Sequence, residues 1–361
     1  MHTHASFIPA ARLHWQRIAQ PDLDTATSVA TWMGALQAQD YAMCKWAIGL
    51  RAAGLTDEDV TAALDGGALV RTHVLRPTWH VVPAADVRWM LSLTGQRIKA
   101  SAAVRDRDLG LDSALYRRAN DLMAAALEGG NHLSREELMA ALERGGIATN
   151  SSRAVHFMMN AETDGLVCNG PLRGKTHTYA LLDERVPPAP APTREEALCT
   201  LAKRYFTSHA PATLADFAWW SGLSMPDART ALESAKGSLQ AFEADGRTFF
   251  APPDMVETGT SGVHLLAAFD EYCVSYKDRN AVFQPEWQGQ AITSNGIFKP
   301  IVVVNGMVEG IWKRTVVKDQ LLIEISFFRG SPACSIAELE QAAAKYGSFM
   351  GLPVCLKVVS V

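Results

Sequence analysis

Two carboxamides two residues apart, Gln37 and Gln39 in the stretch GALQAQDYAMCKW, are the part of this 361-residue sequence best suited to chemistry. In a helix, side chains at i and i+2 point to nearly opposite faces; in extended or loop backbone they point the same way. The pair is therefore either an accident of two helix faces, or the helix stops near Leu36 and both amides aim at one spot. A carboxamide has two donors and an acceptor and is no general base at neutral pH. What it can contribute is orientation, for example of a single water molecule. Asp40 follows directly and is a candidate base or electrostatic stabiliser, although a carboxylate there reads first as a helix-end or turn residue.

The composition narrows what surrounds this pair. The chain is 48% apolar with a formal net charge of −4, which describes a soluble globular protein long enough for two or three compact units. It is neither a basic tail nor a disordered chain. No run of about 18 apolar residues occurs, and MHTHASFIPAARLHW lacks the apolar core of a signal peptide. The six cysteines are scattered singly with no C-x-x-C pair, a pattern of reduced, cytosolic proteins without a structural zinc. No metal or other cofactor is expected. Charge is uneven, however: from Leu69 to Arg107 seven cations face two anions, a local balance of about +5. Such a stretch suits an anionic ligand, or is simply a solvated helix-and-hairpin surface.

The organisation is a layout repeated three times at irregular spacing. Helical patterns at 10–19, 25–36 and 57–64 lead into GGALVRTHVLRPTWHVVP. Patterns at 112–127, 134–143 (opened by the capping-box signal SREEL) and 151–163 lead into DGLVCNGPLRGKTHTYALL. Patterns at 194–208, 213–220 and 225–235 lead into GSLQAFEADGRTFFAPP. Each ending reads as glycine, apolar strand, turn, then an aromatic-rich strand. Three helices and a two-stranded wing make a winged-helix version of the helix-turn-helix. VPPAPAPTREE reads as a stiff linker. After about Met255 strands dominate, with a strong hairpin signal at Asn305–Gly306, a helix at 335–346 and a last strand at 354–359. The expected fold is α+β and mainly helical, with three tandem winged-helix units (1–110, 111–186, 187–255) and a β-rich C-terminal α+β unit (256–361). Trp219–Trp220 and Met158–Met159 read as core.

Winged helices usually bind nucleic acid through a helix or hairpin placed in a groove, and some serve only as protein-interaction modules. With a turn at Arg76–Pro77, the first wing pairs Val74 with Trp79 and Thr72 with Val81 on an inward face. His73 with His80 and Arg71 with Val82 then form the opposite face, with Arg76 at the tip. That makes Arg71, His73, Arg76 and His80 candidate phosphate contacts; the histidines alternatively bond each other or a carbonyl. A slip of one residue would exchange the faces.

The segments GALQAQDY, LVRTHVLRPTWHVVPAADVRWML, KRYFTSHAPATLADFAWWSGL and LLAAFDEYCVSYKDR, in that order, resemble the winged-helix DNA glycosylases of the AlkZ/YcaQ type, over nearly the whole chain. The resemblance implies tandem winged-helix units arranged around a concave surface for double-stranded DNA. It further implies removal of N7-alkylated guanines, bulky adducts and interstrand crosslinks included, in some producers as self-resistance to a DNA-alkylating antibiotic. The family's catalytic motif, glutamine, an aliphatic residue, then glutamine or aspartate, falls on Gln37, Ala38 and Gln39; the second glutamine is similar to the AlkZ-like branch. A C-terminal hairpin also lines the DNA surface in this family. The candidates are the strands around Asn305–Gly306 or the adjoining turn with Lys313, Arg314 and Lys318. Tyr276, Lys277 and Arg279 could likewise face phosphate. With no lysine marked as a Schiff-base nucleophile, a monofunctional enzyme is expected, a monomer without membrane attachment. The competing readings are a winged-helix regulator or lesion sensor without chemistry, and a protein-interaction scaffold.

Overall fold

The computed structural model describes residues 7–255 and 262–359, so the expected boundary at 255/256 adjoins residues outside those described. Two compact units partition the chain. One comprises Met1–Thr61, Leu198–Trp220 and Ser224–Val361, the other Ala62–Ala197 and Ser221–Leu223. Helices and sheets are mixed, and the order of three helices followed by a two-stranded hairpin recurs along the chain.

In the first unit, the helices Ile8–Trp15, Ala26–Met33 and Tyr41–Gly49 precede a later group that includes Met225–Ala235 and the hairpin Gln240–Ala244/Arg247–Ala251. A five-stranded sheet follows. Val263–Leu266, Ile301–Val304, Met307–Val317 and Gln320–Phe327 pair antiparallel in sequence order, and Val354–Val359 adds in parallel to the last of them. A parallel pair needs a crossover, supplied by the helix Ile336–Met350. Its buried face carries Tyr346 and Phe349, whose rings lie 5.0 and 5.3 Å from Trp46 of Tyr41–Gly49. Trp46 also donates its indole N–H to the Leu265 carbonyl at 2.8 Å. The helix behind the glutamine motif is thereby fastened to the sheet. Asn305 and Gly306 both have positive φ, 49° and 82°, and join Val304 to Met307 as the Asn–Gly signal requires.

In the second unit, Ser113–Leu127, Arg135–Arg144 and Ser151–Thr163 enclose a core that includes Met123, Leu138, Leu142 and Phe157. Ser134 and Glu137 form the reciprocal capping box that SREEL announces. The hairpin Val167–Asn169/Thr178–Leu181 closes the set.

Several expectations are corrected. The helix expected to end near Leu36 stops at Met33, because Gly34 turns with φ 78°. The Tyr41–Gly49 helix went unrecognised since it is buried almost all round and shows no polar stripe. Val87–Asp108 is a second helix the sequence reading lacks; its buried residues all lie between Val87 and Ile98, and the stretch beyond is half-buried or exposed. Trp220 is fully buried, but Trp219, expected in the core beside it, is 43% exposed. Adjacent helical residues point about 100° apart, so one of the pair turns outward. The six cysteines are free thiols. No helix among the described residues is long and apolar enough to cross a membrane.

Candidate active site

The glutamine motif occupies a short extended segment between two capped helices. Thr25 and Ser28 cap the start of Ala26–Met33 reciprocally, and the helix ends at Gly34. Ala35 and Leu36 are fully buried, Leu36–Gln37 is extended, and Ala38 is fully buried. Gln37 ends the extended pair and Gln39 lies in the bend before Asp40, so neither glutamine is helical. Gln37 is 6% exposed, whereas Gln39 is solvent-exposed. Asp40 then caps the next helix, accepting the Met43 N–H at 3.0 Å. Its carboxylate is thus engaged in a structural bond, as the helix-end reading anticipates.

Behind the motif lies an acidic pair from FDEY. The Gln37 backbone N–H donates to Glu271 Oε1 at 2.7 Å. The other oxygen of Glu271 accepts the Trp220 indole N–H at 3.2 Å and the Ser275 hydroxyl. His209 Nε2 stands 3.8 Å from the same oxygen, beyond hydrogen-bond range. Burial holds the His209 imidazole below the ordinary histidine range, opposed by the adjacent Glu271 carboxylate. Asp270, the preceding residue, caps the one-turn helix Glu271–Val274 and accepts both arms of Arg51 at 2.7 and 3.1 Å, with both side chains fully buried. Arg51 continues to Gln16 at 2.8 Å, and Gln16 to the Tyr276 hydroxyl at 3.0 Å. Sequence reasoning missed Glu271 and Asp270 as parts of the site. The only signal available was two acidic residues inside an apolar run, LLAAFDEY.

The first wing is registered one residue away from the expected pairing. His73 pairs with Trp79, Thr72 with His80 and Arg71 with Val81. Five residues, 74–78, form the connection, and Leu75 adopts φ 64°; the shift puts His73 and His80 on opposite faces of the hairpin. The expected outward placement of the histidines is therefore corrected. His80 is fully buried and bonds the Thr78 carbonyl through Nδ1 at 3.0 Å. His73, 5% exposed, engages the buried Glu162 carboxylate, to which Trp79 also donates at 3.3 Å. Arg71 lies over the Trp79 ring at 4.5 Å and, like Arg76, is half-buried.

The remaining candidates divide. Tyr276 is fully buried and faces no solvent, because its hydroxyl joins Gln16 and the His209 carbonyl. Lys277 is exposed. Arg279 lies between the Trp219 and Phe298 rings at 5.8 and 5.1 Å and donates to the Cys273 carbonyl at 2.8 Å. Lys313 is 70% exposed on the side chain, paired with Glu324 at 3.1 Å. Arg314 packs on Met43 and the Tyr346 ring. Of the two hairpin candidates, the turn after Met307–Val317 is the one that projects: Thr315 to Gln320 are all exposed, with Val316 and Val317 at 56% and 51%. Among the described residues, no group of three or more His, Cys, Asp or Glu side chains could hold a metal.

This helix break, with the Gln37 backbone held by the buried Glu271 carboxylate, stands on a chain whose fold has a solved counterpart. The DNA glycosylase AlkZ of Streptomyces sahachiroi superposes with a TM-score of 0.83 at 23% identity, covering 99% of this chain and 100% of that one. A curated relative described as an interstrand DNA cross-link repair glycosylase, also from Streptomyces sahachiroi, is 24% identical over 95% of both chains. The model of the AlkZ-like DNA glycosylases matches residues 30–349. The chain belongs to this AlkZ-like DNA glycosylase family.

Proposed function

We propose that this protein is a monofunctional DNA glycosylase that hydrolyses the N-glycosidic bond of N7-alkylguanine in duplex DNA, with Gln37 and Gln39 as its catalytic residues. One observation carries the reading. The motif lies outside any helix, between the Gly34 break and the Asp40 cap, with Leu36–Gln37 extended and Ala38 buried between the two glutamines. An N7-alkylated guanine is already cationic and leaves without protonation, so the sugar develops oxocarbenium character early. The enzyme then has to orient one water and tolerate positive charge. Neutral carboxamides do the first without adding an ionised group at the reacting centre.

DNA contact in this reading comes from Arg71, Arg76, Lys277, Lys313 and Arg314, and from the projecting turn with Lys318. His73 and His80 drop out because they are buried. Arg279, held between two rings, contributes at most an edge of its guanidinium. The description of the curated relative favours interstrand crosslinks as substrates. Self-resistance to an alkylating natural product would follow from the same activity, and winged-helix units would supply the DNA-binding frame.

The test is base release from duplexes carrying N7-methylguanine or a bulky N7-guanine adduct, with abasic sites read as strand breaks after heat or alkali. The Gln37→Ala/Gln39→Ala protein should lose release by about a hundredfold or more and keep its affinity for DNA. No release by the wild type from either duplex, with salt-sensitive binding intact, would instead mark a non-catalytic DNA binder.

A further inference from the structure

Glu271 touches the motif at a point where a neutral acceptor would have sufficed. An extended segment needs only a carbonyl to satisfy one N–H; here the acceptor is a carboxylate 1% exposed, 234 positions away in sequence. Burying a carboxylate is costly unless its hydrogen bonds are made, and a bond from N–H to carboxylate is roughly twice as strong as one to a neutral acceptor. The carboxylate is itself immobilised. Trp220 and Ser275 hold Oε2, and the Asp270–Arg51 pair anchors the first turn of the one-turn helix that carries it. Trp220 braces the motif a second time, since its ring lies against Gly34 where the helix breaks. One indole therefore contacts both the bend before the motif and the carboxylate that grips the motif's backbone.

We infer that Glu271 is a positioning residue for catalysis, acting through the Gln37 main chain to fix the direction in which the Gln37 carboxamide points. The inference rests on the glycosylase reading above. Glu271 touches no substrate in it. Its effect follows from geometry, because a displacement of about 1 Å in a group that orients a reactant can cost on the order of a hundredfold in rate. With the bond intact, the Cα–Cβ direction of Gln37 is held by a charge-assisted contact to its own backbone N–H.

The experiment is single-turnover release of N7-methylguanine by the wild type, Glu271→Gln and Ser275→Ala, each with a DNA dissociation constant and with amide hydrogen exchange read at Gln37 and across the five-stranded sheet. Glu271→Gln keeps the shape and removes the charge. It should release base about tenfold more slowly or worse, with DNA affinity within about twofold. Exchange at the Gln37 N–H should accelerate while the sheet keeps its protection. Ser275→Ala loosens the carboxylate without removing it, so it tests the same link if Glu271→Gln fails to fold, and a severalfold slowing is expected. Unchanged release by the folded Glu271→Gln, or unchanged exchange at Gln37, overturns the inference and leaves the glycosylase reading standing. A loss of rate that merely tracks lost sheet protection overturns it too, since that is the mark of a structural role. If the wild type releases no base, the glycosylase reading falls, and the inference falls with it.

Discussion

Gly34 and Trp220 meet so closely that a Cβ at position 34 would lie 3.3 Å from Trp220 Cη2, and the backbone there already has φ 78°. The positive φ ends the helix before the motif, and the indole takes the space a side chain would need. A side chain at residue 34 would be strained in its dihedral and would also press on a fully buried indole.

Gly34→Ala should therefore destabilise the protein by about 1–2 kcal/mol, from the left-handed backbone alone. Urea denaturation measures it. Base release should fall further than stability explains, because the displaced segment carries Gln37.

Arg51 and Asp270 form a bidentate pair with both side chains fully buried. Removing one partner leaves the other charge uncompensated, so Arg51→Met should cost about 3–5 kcal/mol. Denaturant midpoints would show the loss. A cost under about 1 kcal/mol would mean that water or another group takes over the charge.

His264, in the strand Val263–Leu266, is 5% exposed, and its ring is pushed down to about 4 by burial, with a smaller contribution from the Lys345 charge. The ordinary value of about 6.5 belongs to the unfolded chain. Between the two, the unfolded state takes up a proton that the folded state refuses. The stabilising neutral form is therefore fully effective above pH 6.5, and its contribution is lost as pH falls toward 4. The full loss is on the order of 3 kcal/mol. His264→Gln should flatten the stability profile over this range, as urea titrations at pH 7, 5.5 and 4.5 would reveal. A wild-type profile with the same slope as the variant's would contradict the assignment.

The hairpin end from Thr315 to Gln320, strand residues on either side of the Lys318–Asp319 turn, exposes Val316, Val317 and Lys318. Val316→Ser/Val317→Ser should leave the fold intact, as neither side chain is buried, and should weaken binding to lesion-bearing duplex. Lys318→Ala and Lys277→Ala should each lower the slope of log affinity against log salt by about 0.9 if the residue contacts one phosphate. An unchanged slope would remove that residue from the DNA surface.

Much of this was legible in the chain itself. The helices at 194–208 and 225–235 and the strand at 354–359 fall where periodicity puts them, because caps such as SREEL and breakers such as Asn305–Gly306 act within a few residues. Of the two readings the glutamine spacing allowed, the helix break is the one found, although three residues earlier, at Met33, and Ala38 is buried.

Local signals reach no further than neighbouring residues. They put the first wing one residue out of register, where a five-residue connection with Leu75 at φ 64° turns His80 inward. Nor could they tell exposed Trp219 from buried Trp220. So the pair of amides, the helix before them and the family likeness are properties of the sequence alone. Which carboxylate grips the Gln37 backbone is decided only by tertiary structure, because packing brings Glu271 across 234 residues to meet it.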